Sequence, residues 1–162
     1  MYIGRREFYK FFMSNNLLKI YCDGGARGNP GPAAAAFVAL RDGETMLYKK
    51  AEYLGTKTNN EAEYSAVILA LKWLAENPIY AGSDSVRFYL DSELVTKQLS
   101  GNFKIKSKNL TKLFLTVKSL EKKLSVSTKY SHIPRVKNKL SDYLVNKTLD
   151  ENSKRVSHPR DL

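Results

Sequence analysis

Four separated carboxylates are the residues of this sequence that could do chemistry together. Asp23 lies in CDGGARGNPGPAAA, Glu63 in TNNEAEYSA, Asp91 in FYLDS and Asp142 in HIPRVKNKLSDYL. Carboxylate oxygens are the ligands that hard cations such as Mg²⁺ and Mn²⁺ prefer. Two such ions about 4 Å apart activate water and stabilise the leaving oxygen in phosphoryl transfer. The set therefore predicts a site for two Mg²⁺ ions, with Mn²⁺ as a substitute.

The three aspartates also have purely structural interpretations. Asp23 precedes two glycines, and Asp before Gly often forms a turn. Asp91 can cap the helix that follows it, a role that Ser92 can also fill. Asp142 lies within the first turn or two of a predicted helix, where a negative charge gains about 0.3–1 kcal/mol from the helix dipole. Each residue alone leaves the choice open, and the combination favours a metal site.

Glu61 and Glu63 compete for one role at the start of a predicted helix. Thr58 and Glu61 match the capping box, in which the Thr side chain bonds the third helical residue and Glu reaches back. Glu63 lies instead on the stripe that faces the core, in line with Ala66, Val67, Ala70, Trp73 and Leu74. A carboxylate on that stripe is costly to bury unless it is paired or binds metal. We therefore predict Glu61 as the cap and Glu63 as the ligand.

His132 is one of two histidines in the chain and precedes Asp142 by ten residues. Near a metal site, a histidine that titrates around neutral pH can move protons or assist product release. The alternative is a surface histidine in a loop before Pro134. Both interpretations stay open at this point.

The elements that must position these residues follow from turn signals and periodicity. Asp42-Gly43 indicates a hairpin turn, and the order βββαβααβα predicts an α/β fold with a mixed sheet covered by helices. We expect a short extension over 1–16, one domain over 17–150 and a flexible tail over 151–162. The predicted strands span 17–22, 33–40, 45–54, 86–90 and 126–130, and the predicted helices span 58–76, 93–99, 109–124 and 138–149.

Composition excludes several classes of protein. The 162 residues suit one domain with a real core, and no apolar run approaches the roughly 20 residues needed to span a bilayer. The basic, aromatic N-terminus has no apolar region of the kind that signal peptides carry. A single cysteine, Cys22, excludes a disulfide framework and a Cys-based zinc site. It fits a reducing compartment, so we expect a cytoplasmic protein with no membrane partner.

The positive charge is concentrated in one segment. The net charge is +11, and the segment from Lys97 to Lys139 holds 12 Lys and Arg residues against one acid, Glu121. The remainder of the chain is balanced. Such a run is often a solvated helix face, but beside a carboxylate site it favours a surface that binds a polyanion, and the nearby Tyr and Phe residues favour nucleic acid.

The motifs together resemble ribonuclease H type 1, the endonucleases that cut RNA in RNA–DNA hybrids. The resemblance covers about Leu18 to Leu149 and includes four motifs in order: Asp23-Gly24-Gly25 with Gly28-Asn29-Pro30-Gly31-Pro32, Thr58-Asn59-Asn60 with Glu63, Asp91-Ser92, and His132 ahead of Asp142. It implies a ribonuclease H-like fold with a five-stranded mixed sheet, three strands antiparallel and then two parallel.

The resemblance also implies a mechanism. Asp23, Glu63, Asp91 and Asp142 match the family's catalytic, metal-binding carboxylates, and His132 matches its flexible-loop histidine. One ion would orient the attacking water and the other would stabilise the 3′ leaving oxygen. Products would carry 5′-phosphate and 3′-hydroxyl ends.

Recognition of the hybrid is implied in the same way. Gly24, Gly25, Asn29 and Asn59 would contact ribose 2′-hydroxyls and base edges in the minor groove, where the 2′-hydroxyl distinguishes RNA from DNA. Thr58, with Asn29, would hold a DNA phosphate. We expect a monomer.

The chain departs from the family pattern at two places. Some members carry a basic protrusion between the third and fourth motifs, and here a short stretch with Lys104, Lys106 and Lys108 stands in for it. Many relatives have Ser where this chain has Gly25. One hydroxyl contact is then missing, which leaves double-stranded RNA open as a further substrate.

Two other functions remain as alternatives. A non-catalytic nucleic-acid-binding module on the same fold is one, although such a module need not keep carboxylates on a buried stripe. The nuclease domain of a reverse transcriptase, cut from a polyprotein, is the other.

Overall fold

Five strands form one mixed sheet in the computed structural model, which describes residues 17–41, 45–81 and 85–157. The strands are β1 (Leu18–Ala26), β2 (Gly31–Arg41), β3 (Thr45–Lys57), β4 (Ser85–Leu90) and β5 (Ser127–His132). Their spatial order is β3-β2-β1-β4-β5. Pairing is antiparallel from β3 to β1 and parallel from β1 to β5, which confirms the expected sheet.

Helices flank the sheet. They are α1 (Asn59–Glu76), α2 (Pro78–Ala81), α3 (Glu93–Leu99), α4 (Lys108–Lys123) and α5 (Lys139–Ser157), with a 3₁₀ turn over Arg135–Lys137. The short α2 and the 3₁₀ turn were not predicted. Within the described ranges, no helix is long and apolar enough to cross a bilayer.

The two faces of the sheet have separate cores. Alternate residues of β1, Leu18, Ile20 and Cys22, are buried on the face that α1 and α4 cover. On the other face, Ala34 and Ala36 of β2 pack against α5. Since β2 lies between two helical layers, its small alanines are buried on both sides and let the helices approach closely.

Several boundary predictions are wrong, and those of the first strand and the last helix differ most beside the site. β1 continues through Asp23 to Ala26, because pairing with β2 supplies ladder hydrogen bonds that the glycine-rich sequence did not suggest. The last helix continues to Ser157, beyond its predicted end at Leu149, and Arg27 of the β1–β2 connection bonds Asp150 at 2.5 Å. The flexible tail over 151–162 stays a prediction. The N-terminal extension, the Asp42-Gly43 turn and residues 158–162 lie outside the described residues.

Candidate active site

Three of the four predicted carboxylates meet at one edge of the sheet. Asp23 lies within β1, Asp91 follows β4 directly, and Glu63 lies in the second turn of α1. One carboxylate oxygen from each lies within 4.8 Å of the others. Asp23 and Glu63 are each only 6% exposed and Asp91 is half-buried, so two of the three acidic groups are largely removed from water.

Gly24 is the residue that lets α1 come close enough to form this cluster. A Cβ added to Gly24 would lie 2.1 Å from the carbonyl carbon of Ala62 and 2.4 Å from the amide nitrogen of Glu63. Real Cβ atoms do not come that close to backbone atoms. Gly24 is therefore required where β1 and α1 cross, which is a packing role that the sequence analysis did not assign.

The electrostatics of the cluster fit a divalent cation. Burial, and then the charge of Asp91, raises the pKa of Asp23 from 3.8 to about 6. Burial, and then the charges of Asp23 and Asp91, raises the pKa of Glu63 well above its usual value. The buried Oε2 of Glu63 also has no hydrogen-bond partner among the described residues. A bound cation would offset the mutual repulsion and give this oxygen a ligand role, so the residues present fit Mg²⁺ or Mn²⁺.

The capping box separates Glu61 from Glu63, as predicted. The Glu61 backbone N–H donates to Thr58 Oγ1 at 3.2 Å, and Glu61 Oε2 accepts from the Thr58 backbone N–H at 2.8 Å. Glu61 is thus occupied as the cap of α1. The assignment of Glu61 as the cap is confirmed, and Glu63 is free to point into the acidic cluster.

The structural alternatives for Asp23 and Asp91 are excluded in the same way. Ser92 caps α3, since its Oγ accepts the Val95 backbone N–H at 3.3 Å. Asp23 is paired with Ala36 in the middle of a strand ladder and does not form a turn. Neither carboxylate therefore serves as a helix cap or as a turn residue.

Asp142 lies in the same cleft but outside the group of three. It is in the first turn of α5, and its Oδ1 accepts a hydrogen bond from Arg135 Nη2 at 2.7 Å. This bond, with the charge of Asp142, raises the pKa of Arg135 above its usual value. The role of Asp142 as a metal ligand stays a prediction. Arg135, which the sequence analysis missed, places a positive charge in the cleft; its only sequence signal was a basic residue between His132 and Asp142.

Two further residues dock the start of α5 against β1 beside the site. Asn138 Nδ2 donates to the Cys22 carbonyl at 2.8 Å, and Ser141 Oγ donates to the Tyr21 carbonyl at 3.0 Å. Both side chains are 1% exposed. These bonds fix the position of Asp142 relative to Asp23, and no sequence motif had pointed to them.

His132 is the last residue of β5, so its placement in a flexible loop is wrong. Pairing with Leu90 extends the parallel ladder two residues beyond the predicted end of the strand. The exposed ring lies near the cluster, with Nε2 3.2 Å from the carbonyl oxygen of Asp91. The role of His132 in proton transfer stays a prediction.

The predicted nucleic-acid contacts divide into two groups. Asn29 Oδ1 accepts the Asn59 backbone N–H at 3.0 Å, and Asn59 Oδ1 accepts the Ala26 backbone N–H at 2.9 Å, so these residues tie the β1–β2 connection to the start of α1. Gly24, Gly25 and Asn59 line a cleft of about 470 Å³ that also contains the carboxylates. Lys104, Lys106 and Lys108, by contrast, are exposed beyond α3 and do not line it.

This fold and this site define a ribonuclease H-like protein with a cluster of three carboxylates that could hold a metal ion at the edge of a mixed sheet. The RNase H family model matches residues 15–150. The chain therefore belongs to the RNase H family.

Individual relatives agree with this assignment. The chain is 36% identical over 132 residues to the protein named "Bifunctional protein Rv2228c" of Mycobacterium tuberculosis, and 34% identical over 131 residues to "Ribonuclease HI" of Halobacterium salinarum. Each match covers 81% of this chain, and it spans 35% and 63% of the length of those two proteins.

Solved structures are similar over nearly their whole length. The crystal structure of RNase H1 from Halobacterium salinarum has a TM-score of 0.75 at 34% identity, and that of LC11-RNase H1 in complex with an RNA/DNA hybrid has 0.79 at 36%. Each comparison covers 83% of this chain and 98% of the other chain.

Proposed function

We propose that this chain is a metal-dependent endoribonuclease that hydrolyses the RNA strand of RNA–DNA hybrids. The observation that carries the proposal is the cluster of Asp23, Glu63 and Asp91 within 4.8 Å in a cleft of the family's fold. The similar LC11-RNase H1 was crystallised with an RNA/DNA hybrid, which supports the same class of substrate here. The net charge of +11 supports a polyanionic substrate.

The cation site is proposed to be formed by the cluster, with Asp142 contributing from the same cleft. Mg²⁺ held there would supply Lewis-acid stabilisation of charge at the reacting phosphate and an activated water for in-line attack. The proposal keeps two ions, with Mn²⁺ as a substitute. Support for the larger number is that Asp142 adds a carboxylate to the cleft beyond the three that already meet.

The residues around the cluster orient the substrate and transfer protons. Asn29 Oδ1 accepts the backbone N–H of Asn59, and Asn59 Oδ1 accepts that of Ala26, so both amide groups are preorganised at the start of α1 for ribose and base edges. Thr58 is already the cap of α1, and its proposed phosphate contact would lie at that helix N-terminus. His132 would take up or release a proton at the rim. Hydrolysis in this arrangement leaves 5′-phosphate and 3′-hydroxyl ends.

We further propose the bounds of the catalytic domain, its oligomeric state and its cellular compartment. The catalytic unit is assigned to 17–150, with α5 continuing beyond it. A monomer is proposed, because all of the clustered carboxylates come from one chain. The support for a reducing compartment such as the cytoplasm is the buried free thiol of Cys22.

A cleavage assay tests the proposal directly. Strand-labelled RNA–DNA, RNA–RNA and DNA–DNA duplexes, and DNA with a single ribonucleotide, are incubated with Mg²⁺, with Mn²⁺ and with EDTA. We expect cutting of the RNA strand of the hybrid, lost in EDTA, and the RNA–RNA arm decides whether double-stranded RNA is also a substrate. Binding of the hybrid without cleavage under both metals would reject the enzyme in favour of a binding module.

A further inference from the structure

A row of cations crosses the face of the sheet beside the cleft. Lys19 on β1, Arg87 on β4 and Lys129 on β5 are in register across three neighbouring parallel strands. Side chains in register project from the same side of a sheet at a spacing of about 5 Å, so three positive charges lie next to one another. None of the three takes part in an ion pair among the described residues.

A row of rings lies between these cations and the carboxylates. Two residues further along their strands, Tyr21 and Tyr89 stack with ring centroids 4.9 Å apart and planes 19° apart. Ser131 is the next residue in this row, and its small side chain puts no bulky group of β5 against Tyr89. Two residues further again, the same two strands lead to Asp23 and Asp91. The cation row is therefore only about 13 Å along β1 from the acidic cluster.

Cavities lie on both sides of these rows. On the side of α5, Tyr21 and Lys137 line a cavity of about 230 Å³ whose other walls include Val38, Leu40 and Leu140. On the side of the edge strand, Arg87 and Lys129 line a depression of about 440 Å³. The surface thus combines cations, ring faces and space beside the rings.

Protection of a sheet edge explains only part of this pattern. A lysine on an edge strand discourages pairing with other chains, and Lys129 on β5 fits that purpose. Lys19 and Arg87 lie on inner strands, where there is no edge to protect. Like charges in register on neighbouring strands repel each other, so the row is unfavourable without an anion between its members.

We propose that the surface formed by Lys19, Arg87, Lys129, Tyr21 and Tyr89, the open sheet face, binds the single-stranded nucleic acid that continues from a hybrid held in the cleft. Phosphates complement the cation row, and bases stack on aromatic rings without regard to sequence, which is the usual construction of a single-strand site. The inference rests on the proposed function, because the occupant is an extension of the same substrate. It gives the enzyme a preference for hybrids with a single-stranded flank over blunt hybrids.

The test compares two probes that differ only in the flank. One is a blunt RNA–DNA hybrid, and the other is the same hybrid with a single-stranded extension of about ten nucleotides. Dissociation constants are measured by fluorescence anisotropy with Mg²⁺ over a range of salt concentrations, on a chain that carries Asp23→Asn so that the probes stay intact. We expect the extension to tighten binding about tenfold.

Matched variants show which residues cause the tighter binding of the extended probe, which is called the gain below. Arg87→Glu with Lys129→Glu should abolish it and lower the salt slope for the extended probe by about 1.4, since each phosphate contact to a single strand contributes about 0.7. Lys122→Glu with Lys123→Glu makes the same change in net charge at exposed positions near the end of α4, away from the open sheet face, and should keep the gain. Tyr89→Leu retains apolar volume but no aromatic face, and should lose most of the gain with the salt slope unchanged.

The results separate this inference from the proposed function. No gain from the extension, or equal loss of the gain in both charge variants, overturns the open sheet face as a single-strand site. The Arg87, Lys129 and Tyr89 changes are also made with Asp23 intact. If these variants keep their melting temperatures and still cleave the blunt hybrid, loss of the tighter binding to the extended probe is not a folding defect. The proposed function fails by a different result, namely that the unmodified chain does not cleave the blunt hybrid.

Discussion

The contact between Gly24 and α1 gives the sharpest prediction, because the space between β1 and the backbone of Ala62 and Glu63 is too small for even one methyl group. The Cβ of Gly24→Ala would lie 2.1 Å from the Ala62 carbonyl carbon, whereas ordinary contact begins at 3.4 Å. The strand and the helix must therefore separate by about 1.3 Å, since neither backbone can turn aside as a flexible side chain would. That movement would displace Glu63 from Asp23.

The expected effects follow from this displacement. Overpacking of this kind costs about 1–3 kcal/mol in the free energy of unfolding, which a folded domain can survive. A displacement of about 1 Å between groups that act together lowers the rate by about 10²-fold. We expect Gly24→Ala to lose kcat on a hybrid substrate and to need more Mg²⁺ for half-maximal activity.

Gly25→Ala is the matched control. Its Cβ would lie 3.6 Å from Cγ1 of Val145, an ordinary contact, so the free energy of unfolding should change by less than about 0.5 kcal/mol. Because Gly25 lines the cleft, any loss of activity should appear in KM. Urea denaturation and steady-state kinetics on both variants provide the comparison. Equal stability and equal kcat in the two variants would refute the argument that Gly24 sets the approach of α1.

Three more predictions concern the charged groups. Glu63→Gln should abolish cleavage and the rise in melting temperature on adding Mg²⁺, whereas Glu61→Gln retains an acceptor oxygen for the capping box and should keep both at a cost below about 1 kcal/mol; retained activity in Glu63→Gln would remove it from the site. In EDTA, Asp23 binds its proton more tightly in the folded state, because its pKa is raised from 3.8 to about 6. Its contribution to the free energy of unfolding should therefore fall by about 3 kcal/mol as pH rises from about 4 to about 6, and urea denaturation of Asp23→Asn should lack this part of the slope. Changing Lys104, Lys106 and Lys108 to Ala should lower the salt slope of hybrid binding by about 0.9 per phosphate contact, and an unchanged slope would mean that these lysines face solvent only.

Local signals were sufficient for much of the fold. The strand predicted over 17–22, the capping box at Thr58 and the end of the helix at Glu76 each depend on residues close along the chain, and each is present in the structure. The boundaries that failed depend on distant partners. β1 runs on through the glycines because β2 pairs with them, and α5 runs on to Ser157 with Arg27 holding Asp150.

The sequence by itself determined which residue types the site contains. Carboxylates at the ends of predicted strands, and one on the buried stripe of a helix, pointed to Asp23, Glu63 and Asp91, because burying a carboxylate without a partner is costly and so carries information. The capping box also separated Glu61 from Glu63 without any knowledge of the fold.

Only the tertiary structure decided how those groups are arranged. The pairing of Asp142 with Arg135, the docking of α5 by Asn138 and Ser141, and the approach of α1 over Gly24 all join residues from different elements. The open sheet face is a further case, because register across β1, β4 and β5 aligns cations that are 42 to 110 residues apart in the sequence. Such contacts depend on how the elements pack in three dimensions, and the distance between two packed residues does not follow from their spacing along the chain.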